Sequence, residues 1–416
     1  MTHDSLRNRR IQIDIRNNTN SMPIYLDHSA TTPIAPEARE AMLPYLTDLY
    51  GNASSLHSFG RDAAAALDEA HYTVGCAIGA RASEIVFTGC GTESDNLALR
   101  GVMLALRQAG SPRRTMLSAA TEHHAIEATA HQLQQLFGFE SALLPVDEHG
   151  WVNPADVRRI LDARPNEIGL VSVMMANNEV GTLQAIQEIG ALCRARGVYF
   201  HTDAVQCPAY LPIDVNALNI DLMSLSSHKF YGPKGVGVLY LRDGVPYIST
   251  ATGGGHERDR RAGTVNVAGA VATAAALKLV SKRRETEGPR LTALRDRLIA
   301  GVLARVPDAM LTGHPTRRLP HHTSFAFKGI DGETLLMALD IEGIAVSTGS
   351  ACTSGSPEPS PVLLAMGIPA EWALGGLRIT LGYGTTQAEI DTVLDTLPVC
   401  VARVRASVDF ELRATA

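Results

Sequence analysis

Short apolar segments alternate with amphipathic segments along the first two-thirds of the chain. The apolar runs lie between turn-forming residues, which is typical of buried strands. Predicted strands cover residues 84–88, 115–119, 168–176, 198–201, 222–225 and 236–241. Predicted helices cover residues 36–50, 61–78, 92–108, 122–137 and 186–196. Apolar strands separated by helices indicate an α/β fold with a mostly parallel central sheet flanked by helices.

The pattern changes after residue 264. A strong helix is predicted at 268–282, and the charged stretch to 297 is expected to continue it. Strands are then predicted at 323–327 and 377–381, and helices at 332–341 and 387–405. We interpret these as three regions: an N-terminal extension (1–21) expected to be flexible, a large α/β domain (22–282), and a smaller α+β C-terminal domain (283–416). The start of the large domain could also pack with the small one.

Composition narrows the class of protein. The 416 residues carry a formal net charge of −6 and show no basic stripe, so direct nucleic-acid binding is not expected. No apolar run is long enough to span a membrane, and residues 1–21 lack the apolar core of a secretory signal. Six scattered cysteines without C-x-x-C pairs suggest neither a zinc site nor a disulfide framework. We therefore expect a cytoplasmic enzyme without a metal site.

Ser226, His228 and Lys229 lie where a predicted buried strand ends in a turn. Burying an ammonium is costly, and a desolvated lysine with a lowered pKa is a good amine nucleophile for a carbonyl. Such a lysine suits a Schiff base with pyridoxal phosphate. The alternative for this triplet alone is an ordinary solvated loop lysine.

Further polar residues follow the other predicted strands. Gly91 and Thr92 open a helix whose amides could cradle a phosphate, although Thr92 could be a plain helix cap. His123 could stack on an aromatic cofactor or shuttle protons, and the alternative is a surface or capping histidine. Asp203, at a strand end, could hold a protonated pyridine nitrogen, or could instead cap a helix or pair with an arginine.

The remaining candidates could bind the ring oxygen and the substrate. Asn178 and Gln206 are amides that could hold a ring oxygen. Cys352 lies among Gly, Ser and Pro residues, so we expect an exposed, reactive thiol on a mobile loop. Arg378 offers a planar fork for a carboxylate.

Nine segments in order carry a resemblance that spans residues 25–405. They are YLDHSATT (25–32), GNASSLH (51–57), GTESDN (91–96), NNE (177–179), HTDAVQ (201–206), SSHK (226–229), GGGHER (253–258), RAGT (261–264) and GSACTS (349–354). The sequence resembles the NifS/IscS-like group of cysteine desulfurases, within the class V aminotransferases of PLP fold type I. The loop around Cys352 is similar to the long loop of this group rather than the shorter SufS type.

The resemblance implies a role for each candidate. Lys229 would hold the cofactor, His123 would stack on its ring, and Asp203 would contact the pyridine nitrogen. Cys352 would receive the sulfur of L-cysteine as a persulfide, leaving alanine, and Arg378 would grip the substrate carboxylate. The implied contacts to the ring oxygen and the phosphate come from Asn178, Gln206, Gly91, Thr92, Ser226 and His228, with Thr264 supplied by the second subunit of a homodimer.

Two positions depart from the family pattern, and several alternatives stay open. Ser227 stands where glycine is frequent, and Tyr383 stands where a second arginine often occurs. The same residues could serve a selenocysteine lyase, and the fold alone could serve a non-enzymatic sulfur-carrying or regulatory subunit. A Cys–His hydrolase using Cys352 would leave the Ser-Ser-His-Lys segment unexplained. The sulfur acceptor could be an iron–sulfur scaffold protein, a tRNA thiolation relay, a DNA modification system or another carrier.

Overall fold

The computed structural model describes residues 23–349 and 358–415, with residues 408–415 described by their backbone. The strands are β1 (Ile24–Tyr25), β2 (Ile85–Thr88), β3 (Thr115–Ala119), β4 (Glu140–Leu144), β5 (Ile168–Ser172), β6 (Tyr199–Asp203), β7 (Leu222–Ser226), β8 (Gly237–Leu241), β9 (Ala309–Leu311), β10 (His322–Phe327), β11 (Ile344–Ala345) and β12 (Gly376–Thr380). The helices are α1 (Pro36–Met42), α2 (Ser58–Ile78), α3 (Gly91–Gln108), α4 (His124–Phe137), α5 (Pro154–Ala163), α6 (Ile186–Ala195), α7 (Val267–Arg305), α8 (Gly332–Ile341), α9 (Pro361–Ala365), α10 (Ala370–Ala373) and α11 (Gln387–Thr415).

Seven strands form the central sheet in the order β2-β8-β7-β6-β5-β3-β4. Strand β8 runs antiparallel to both of its neighbours, whereas the other pairs are parallel. The predicted α/β fold with a mostly parallel sheet is therefore confirmed. Its parallel strands end at one edge, where ligand sites of such folds collect.

The sheet is covered on both faces, and successive side chains of a strand point alternately into two apolar layers. In β2, Val86 faces a cluster built from α3 and α4, whereas Ile85 and Phe87 belong to the larger core on the opposite face. Each fully buried side chain of this size contributes about 1.5–3 kcal/mol relative to an exposed one. This two-sided burial explains why the strand sequences are apolar almost throughout.

Two smaller sheets form from the ends of the chain. Strand β1 pairs in parallel with β11, and β12, β10 and β9 form an antiparallel sheet. Helix α7 is continuous across residue 282, as the charged stretch predicted. The division of the chain at that residue stays a prediction. Within the described residues, no helix combines the length and apolar character that crossing a membrane requires.

The strand predicted at 168–176 ends at Ser172, and the structure also differs from the prediction at one helix and at two elements between β3 and β5. The helix predicted at 36–50 ends at Met42 and tightens into a 3₁₀ turn, Leu43–Leu46, which contains Pro44. Strand β4 was not predicted because it is an edge strand in which Leu144 alone is buried. Helix α5, which follows it, was also not predicted, although Asn153 caps it and Pro154 opens it.

Candidate active site

The predicted cofactor residues converge where β6 and β7 end and α3 begins. Asp203 is the last residue of β6, Ser226 is the last residue of β7, and Gly91 is the first residue of α3. The amides of Gly91 and Thr92 lack helical acceptors, as at every helix start, whereas the amide of Glu93 donates to Sγ of the capping residue Cys90 at 3.4 Å. One cavity is lined by Cys90, Gly91, Thr92, Asp95, His123, Asp203, Val205, Ser226 and His228.

The carboxylate of Asp203 is buried at this edge. Its Oδ1 accepts a hydrogen bond from the amide of Val205 at 2.9 Å, and the residue is only 7% exposed. Burial raises the pKa of Asp203, while the neighbouring His123 and Lys229 act in the opposite direction. A cationic ring nitrogen in the cavity would stabilise the ionised carboxylate.

The imidazole of His123 lies at the N-terminus of α4 with a defined tautomer. Its Nδ1 accepts a hydrogen bond from the amide of Ala125 at 3.1 Å, so the proton of the neutral ring is on Nε2. Burial lowers the pKa of His123, and the charge of Lys229 lowers it further, while the carboxylate of Asp203 acts in the opposite direction without reversing the shift. The ring is therefore neutral near pH 7 and lines both the cofactor cavity and a second cavity beside it.

Lys229 lies in the 3₁₀ turn that follows β7. Its ammonium donates hydrogen bonds to the carbonyl oxygens of Ser29, at 2.5 Å, and Ala30, at 2.9 Å. The amide Nε2 of Gln206 donates to the same Ser29 oxygen at 3.0 Å. The loop after β1 therefore brings two predicted cofactor residues together.

The turn that carries Lys229 is fixed by the same loop. Both the amide and the hydroxyl of Thr32 donate to the carbonyl of His228, at 2.9 and 2.8 Å. The Nδ1 of His228 lies 3.0 Å from the hydroxyl of Thr31. Burial, reinforced by the charge of Lys229, lowers the pKa of His228 to about 4, so this ring is neutral at pH 7.

Arg378 and Asn178 meet beside the second cavity. The Nη1 of Arg378 donates to the carbonyl oxygens of Asn178 at 3.0 Å and Gly349 at 3.4 Å. Its Nη2 donates to the Oδ1 of Asp27 at 2.9 Å. Asn178, Gly349 and His123 line this cavity, so the predicted substrate residues adjoin the cofactor residues.

The linings of these two cavities do not include Gln206, Lys229 or Arg378, which the hydrogen bonds above place beside them, and they do not include Thr264. Thr264 is exposed on the loop between β8 and α7, which Arg261 ties to Glu93 on the first turn of α3. Cys352 lies outside the described residues. Gly349, three positions before it, is the last described residue on its N-terminal side.

Ser227 and Tyr383, the two residues that differ from the family pattern, both make specific side-chain contacts. Ser227 is fully buried, and its hydroxyl accepts a hydrogen bond from the hydroxyl of Thr273 at 2.9 Å. The ring of Tyr383 stacks on Tyr231 with centroids 4.3 Å apart, and its hydroxyl donates to the carbonyl of Ala209. Tyr383 thus packs beneath the loop that carries Lys229.

Sequence reasoning missed three acidic residues in these cavities. Asp95 and Glu122 lie beside Asp203, and Glu179 lies beside Asn178, where its Oε2 accepts a hydrogen bond from the hydroxyl of Ser360 at 2.6 Å. Burial raises the pKa of all three carboxyl groups. The burial of Asp95 could have been predicted, because Asp95 lies on the apolar face of a predicted amphipathic helix.

Comparison with known proteins agrees with this geometry. Residues 24–393 match the family described as aminotransferase class-V. The chain is 45% identical over 382 residues to a cysteine desulfurase IscS of Dictyoglomus turgidum, covering 92% of this chain and 95% of that protein.

Two solved structures extend the comparison to the fold. A NifS-like protein superposes with a TM-score of 0.84 at 33% identity, covering 92% of this chain and 100% of that one. SspA in complex with cysteine superposes with a TM-score of 0.74 at 30% identity, covering 86% of this chain and 98% of that one. The chain belongs to the class-V aminotransferase family and, within it, to the NifS/IscS-like cysteine desulfurases.

Proposed function

We propose that this protein is a pyridoxal-phosphate-dependent cysteine desulfurase that converts L-cysteine to L-alanine and takes up the sulfur on Cys352. The observation that carries the proposal is the convergence of Lys229, Asp203 and His123 at one edge of the sheet. Each of the three perturbs the electrostatics of another across the cavity. Membership of the NifS/IscS-like group supports the same reaction.

The residues present fit pyridoxal phosphate. Asp203 supplies a buried carboxylate for the ring nitrogen, and the neutral ring of His123 supplies a flat face for stacking. The hydroxyls of Thr92 and Ser226 and the first amides of α3 line the end of the cavity suited to a phosphate. Asn178 and Gln206 would contact the ring oxygen. When bound, the cofactor supplies an electron sink for the bonds at the substrate Cα.

Lys229 would hold the cofactor and then move protons at the substrate. Its ammonium lies within hydrogen-bonding distance of two backbone carbonyls, which keep the side chain directed to the edge of the sheet. As a neutral amine it would take the proton from Cα of the substrate, and as an ammonium it would return one. His228, neutral at pH 7, would donate a hydrogen bond to the phosphate.

Cys352 would perform the sulfur transfer. Its thiolate would attack the sulfur of the bound cysteine, forming an S–S bond while the C–S bond breaks. The electron pair of that C–S bond stays with the carbon fragment, which takes up protons and leaves as alanine, and the persulfide stays on Cys352. Gly349, three residues earlier, lines the cavity with His123 and Asn178, which supports a reach of this kind.

Arg378 would orient the substrate. Its guanidinium is 3% exposed and borders the second cavity through Asn178 and Gly349. A guanidinium in that position would bind the substrate carboxylate through two parallel hydrogen bonds. The SspA structure in complex with cysteine, from a similar protein, supports cysteine as the ligand at this site.

The active unit would be a homodimer that shares its sites. Large apolar side chains are exposed in the segment between α1 and the start of α2, where Leu43, Leu46, Tyr50, Leu56 and Phe59 are 50%, 56%, 70%, 92% and 51% exposed. Clustered apolar exposure of this kind marks an interaction surface. In a homodimer, Thr264 of one subunit would reach the cofactor phosphate of the other.

The persulfide would pass to an acceptor protein that offers a thiol, such as an iron–sulfur scaffold. The five described cysteines are all free thiols, which fits the reducing conditions of a cytoplasm. The protein would not need to bind nucleic acid or a membrane for this transfer.

Product analysis tests the proposal. With a reductant present, the purified holoenzyme should release alanine and sulfide from L-cysteine in equal amounts. The Lys229→Ala variant should release neither. Selenide release from selenocysteine without sulfide release from cysteine would instead assign a selenocysteine lyase. Absence of both products would overturn the enzymatic proposal.

A further inference from the structure

A buried pair of ionisable side chains holds the loop between β8 and α7. His71 on α2 and Glu257 on the loop contact each other through Nε2 and Oε2 at 3.0 Å. Their side chains are 4% and 1% exposed. The same Oε2 accepts a hydrogen bond from the amide of Phe87, in β2, at 2.8 Å. The carboxylate of Glu257 therefore connects the loop to both α2 and the central sheet.

The hydrogen bonds of His71 define where its protons are. Nδ1 lies 2.8 Å from the carbonyl oxygen of Leu67, which can only accept, so Nδ1 carries a proton. Nε2 faces a carboxyl oxygen, so the contact is attractive when one proton lies between the two atoms. An imidazolium with a carboxylate meets this condition, as does a neutral imidazole with a carboxylic acid.

The backbone at residues 257–259 has an unfavourable conformation that a stabilising contact must maintain. Glu257, Arg258 and Asp259 have φ values of 46°, 57° and 63°, all in the left-handed region. Side chains other than glycine rarely adopt this conformation, and consecutive residues do so only where their surroundings enforce it. Burial of the Glu257 side chain against His71 supplies that constraint.

The other end of the loop is tied to the phosphate-binding helix. Arg261 donates to both carboxylate oxygens of Glu93, at 2.7 and 3.3 Å. Glu93 lies in the first turn of α3, and its Oε2 accepts a hydrogen bond from the amide of Gly89 at 2.6 Å. Thr264 follows three residues later and is exposed. The loop is thus fixed at residues 257 and 261 and directs Thr264 away from its own subunit.

We propose that His71 and Glu257 are positioning residues that hold this loop so that Thr264 meets the cofactor phosphate of the second subunit. The inference rests on the proposed homodimer with shared sites. It predicts that a buried contact on α2 controls cofactor affinity although neither side chain lines the cofactor cavity.

A double-mutant cycle on the holoenzyme tests this inference. The dissociation constant of pyridoxal phosphate is measured by titration for the parent, Glu257→Ala, Thr264→Ala and the double variant. Thr264→Ala should weaken binding roughly tenfold, as expected for one hydrogen bond to a charged group. Glu257→Ala should weaken binding by a similar factor. The double variant should match Thr264→Ala within about twofold, because Glu257 acts through Thr264.

Glu257→Gln is the conservative rescue. Its amide oxygen, at the position of Oε2, can still accept from the amide of Phe87 and from the Nε2–H of the His71 imidazolium. This variant should bind the cofactor as the parent does. Asp68→Ala, which removes an exposed acidic residue from the same helix, is the matched control and should also leave the affinity unchanged.

The outcomes separate this inference from the shared-site dimer. If Thr264→Ala binds the cofactor as tightly as the parent, both are overturned. If Thr264→Ala weakens binding but Glu257→Ala does not, or if the two losses add in the double variant, this inference alone is overturned. If Glu257→Ala does not fold, Glu257→Asp, which shortens the side chain by one methylene, takes its place in the same cycle.

Discussion

The guanidinium of Arg378 and the carboxylate of Asp27 form an ion pair at 2.9 Å between residues 351 positions apart. The arginine side chain is 3% exposed and the aspartate side chain 18%. Among the described residues, the Nε of Arg378 has no hydrogen-bond partner. Asp27 therefore holds the guanidinium in place through one N–H of Nη2, and the Nε–H and the second N–H of Nη2 would serve the two hydrogen bonds to a substrate carboxylate.

Replacing Arg378 with lysine should separate substrate binding from cofactor binding. Lysine keeps the charge but loses the planar fork, so the KM for cysteine should rise by about tenfold or more. The visible spectrum of the bound cofactor should stay as in the parent. Arg403→Lys, at an exposed position, is the matched control. An unchanged KM in Arg378→Lys would mean that another group anchors the substrate.

Replacing Lys229 with alanine should remove the covalent attachment of the cofactor. Borohydride treatment of the parent should fix the cofactor to the peptide containing Lys229, and the variant should give no such product. Turnover should fall by about a thousandfold or more, because the proton carrier is lost as well. Lys234→Ala, an exposed lysine five residues later, should behave like the parent. Sulfide release by Lys229→Ala at the parent rate would refute the assignment.

Replacing Cys352 with serine should stop persulfide formation without preventing cofactor binding. Mass spectrometry of the parent after cysteine treatment should find one additional sulfur atom on the peptide containing Cys352. Cys76→Ser removes an exposed thiol and should leave that modification intact, whereas Cys90, also exposed, lines the cofactor cavity and is not used as a control. Additional sulfur on one of those cysteines instead, or transfer to an acceptor by Cys352→Ser, would contradict the proposal.

The loss of folding stability at acid pH should depend on His201. Burial lowers its pKa to about 3, below the ordinary value near 6.5. As the pH falls below about 6.5, the unfolded chain binds this proton while the folded chain does not, so stability present above that pH is lost. The slope from one such group reaches about 1.4 kcal/mol per pH unit.

His201→Gln should therefore lose less stability than the parent between pH 6.5 and 4.5. Melting temperatures measured across this range are the readout, and His131→Gln, at an exposed histidine, is the control. Asp95 and Asp203, whose pKa values burial raises, act in the opposite direction. Because Oδ1 of Asp95 lies 3.6 Å from Nε2 of His201, the comparison is also made in an Asp95→Asn background. Equal pH dependence in His201→Gln and the parent would refute the prediction.

Most of the central sheet could be predicted from the sequence because its inner strands are buried on both faces and are therefore largely apolar. The edge strand β4 was not predicted because Leu144 is its only buried residue, so the sequence shows no buried apolar run there. Residues at strand ends, such as Asp203 and Ser226, could be assigned to one edge because parallel strands end together.

Contacts made by the backbone and by distant segments could not be predicted. The acceptors of Lys229 are carbonyl oxygens of Ser29 and Ala30, which every residue type possesses, so the sequence carries no signal for them. The ion pair of Arg378 with Asp27 and the pair of His71 with Glu257 join segments far apart in the chain. Such pairings depend on the finished fold rather than on local pattern.

The pairing of β1 with β11 sets an order of events during protein synthesis. Residues 24–25 are synthesised 320 residues before their partners, residues 344–345. The hydrogen bond of the Ser29 amide forms later still, because its acceptor is the hydroxyl of Thr380. A nascent chain that already contains Lys229, Asp203 and His123 therefore lacks the later residues that place the loop of Ser29 and Ala30 beside the lysine. We expect a ribosome-stalled chain ending before residue 344 to retain little cofactor, and loading to follow release of the full-length chain.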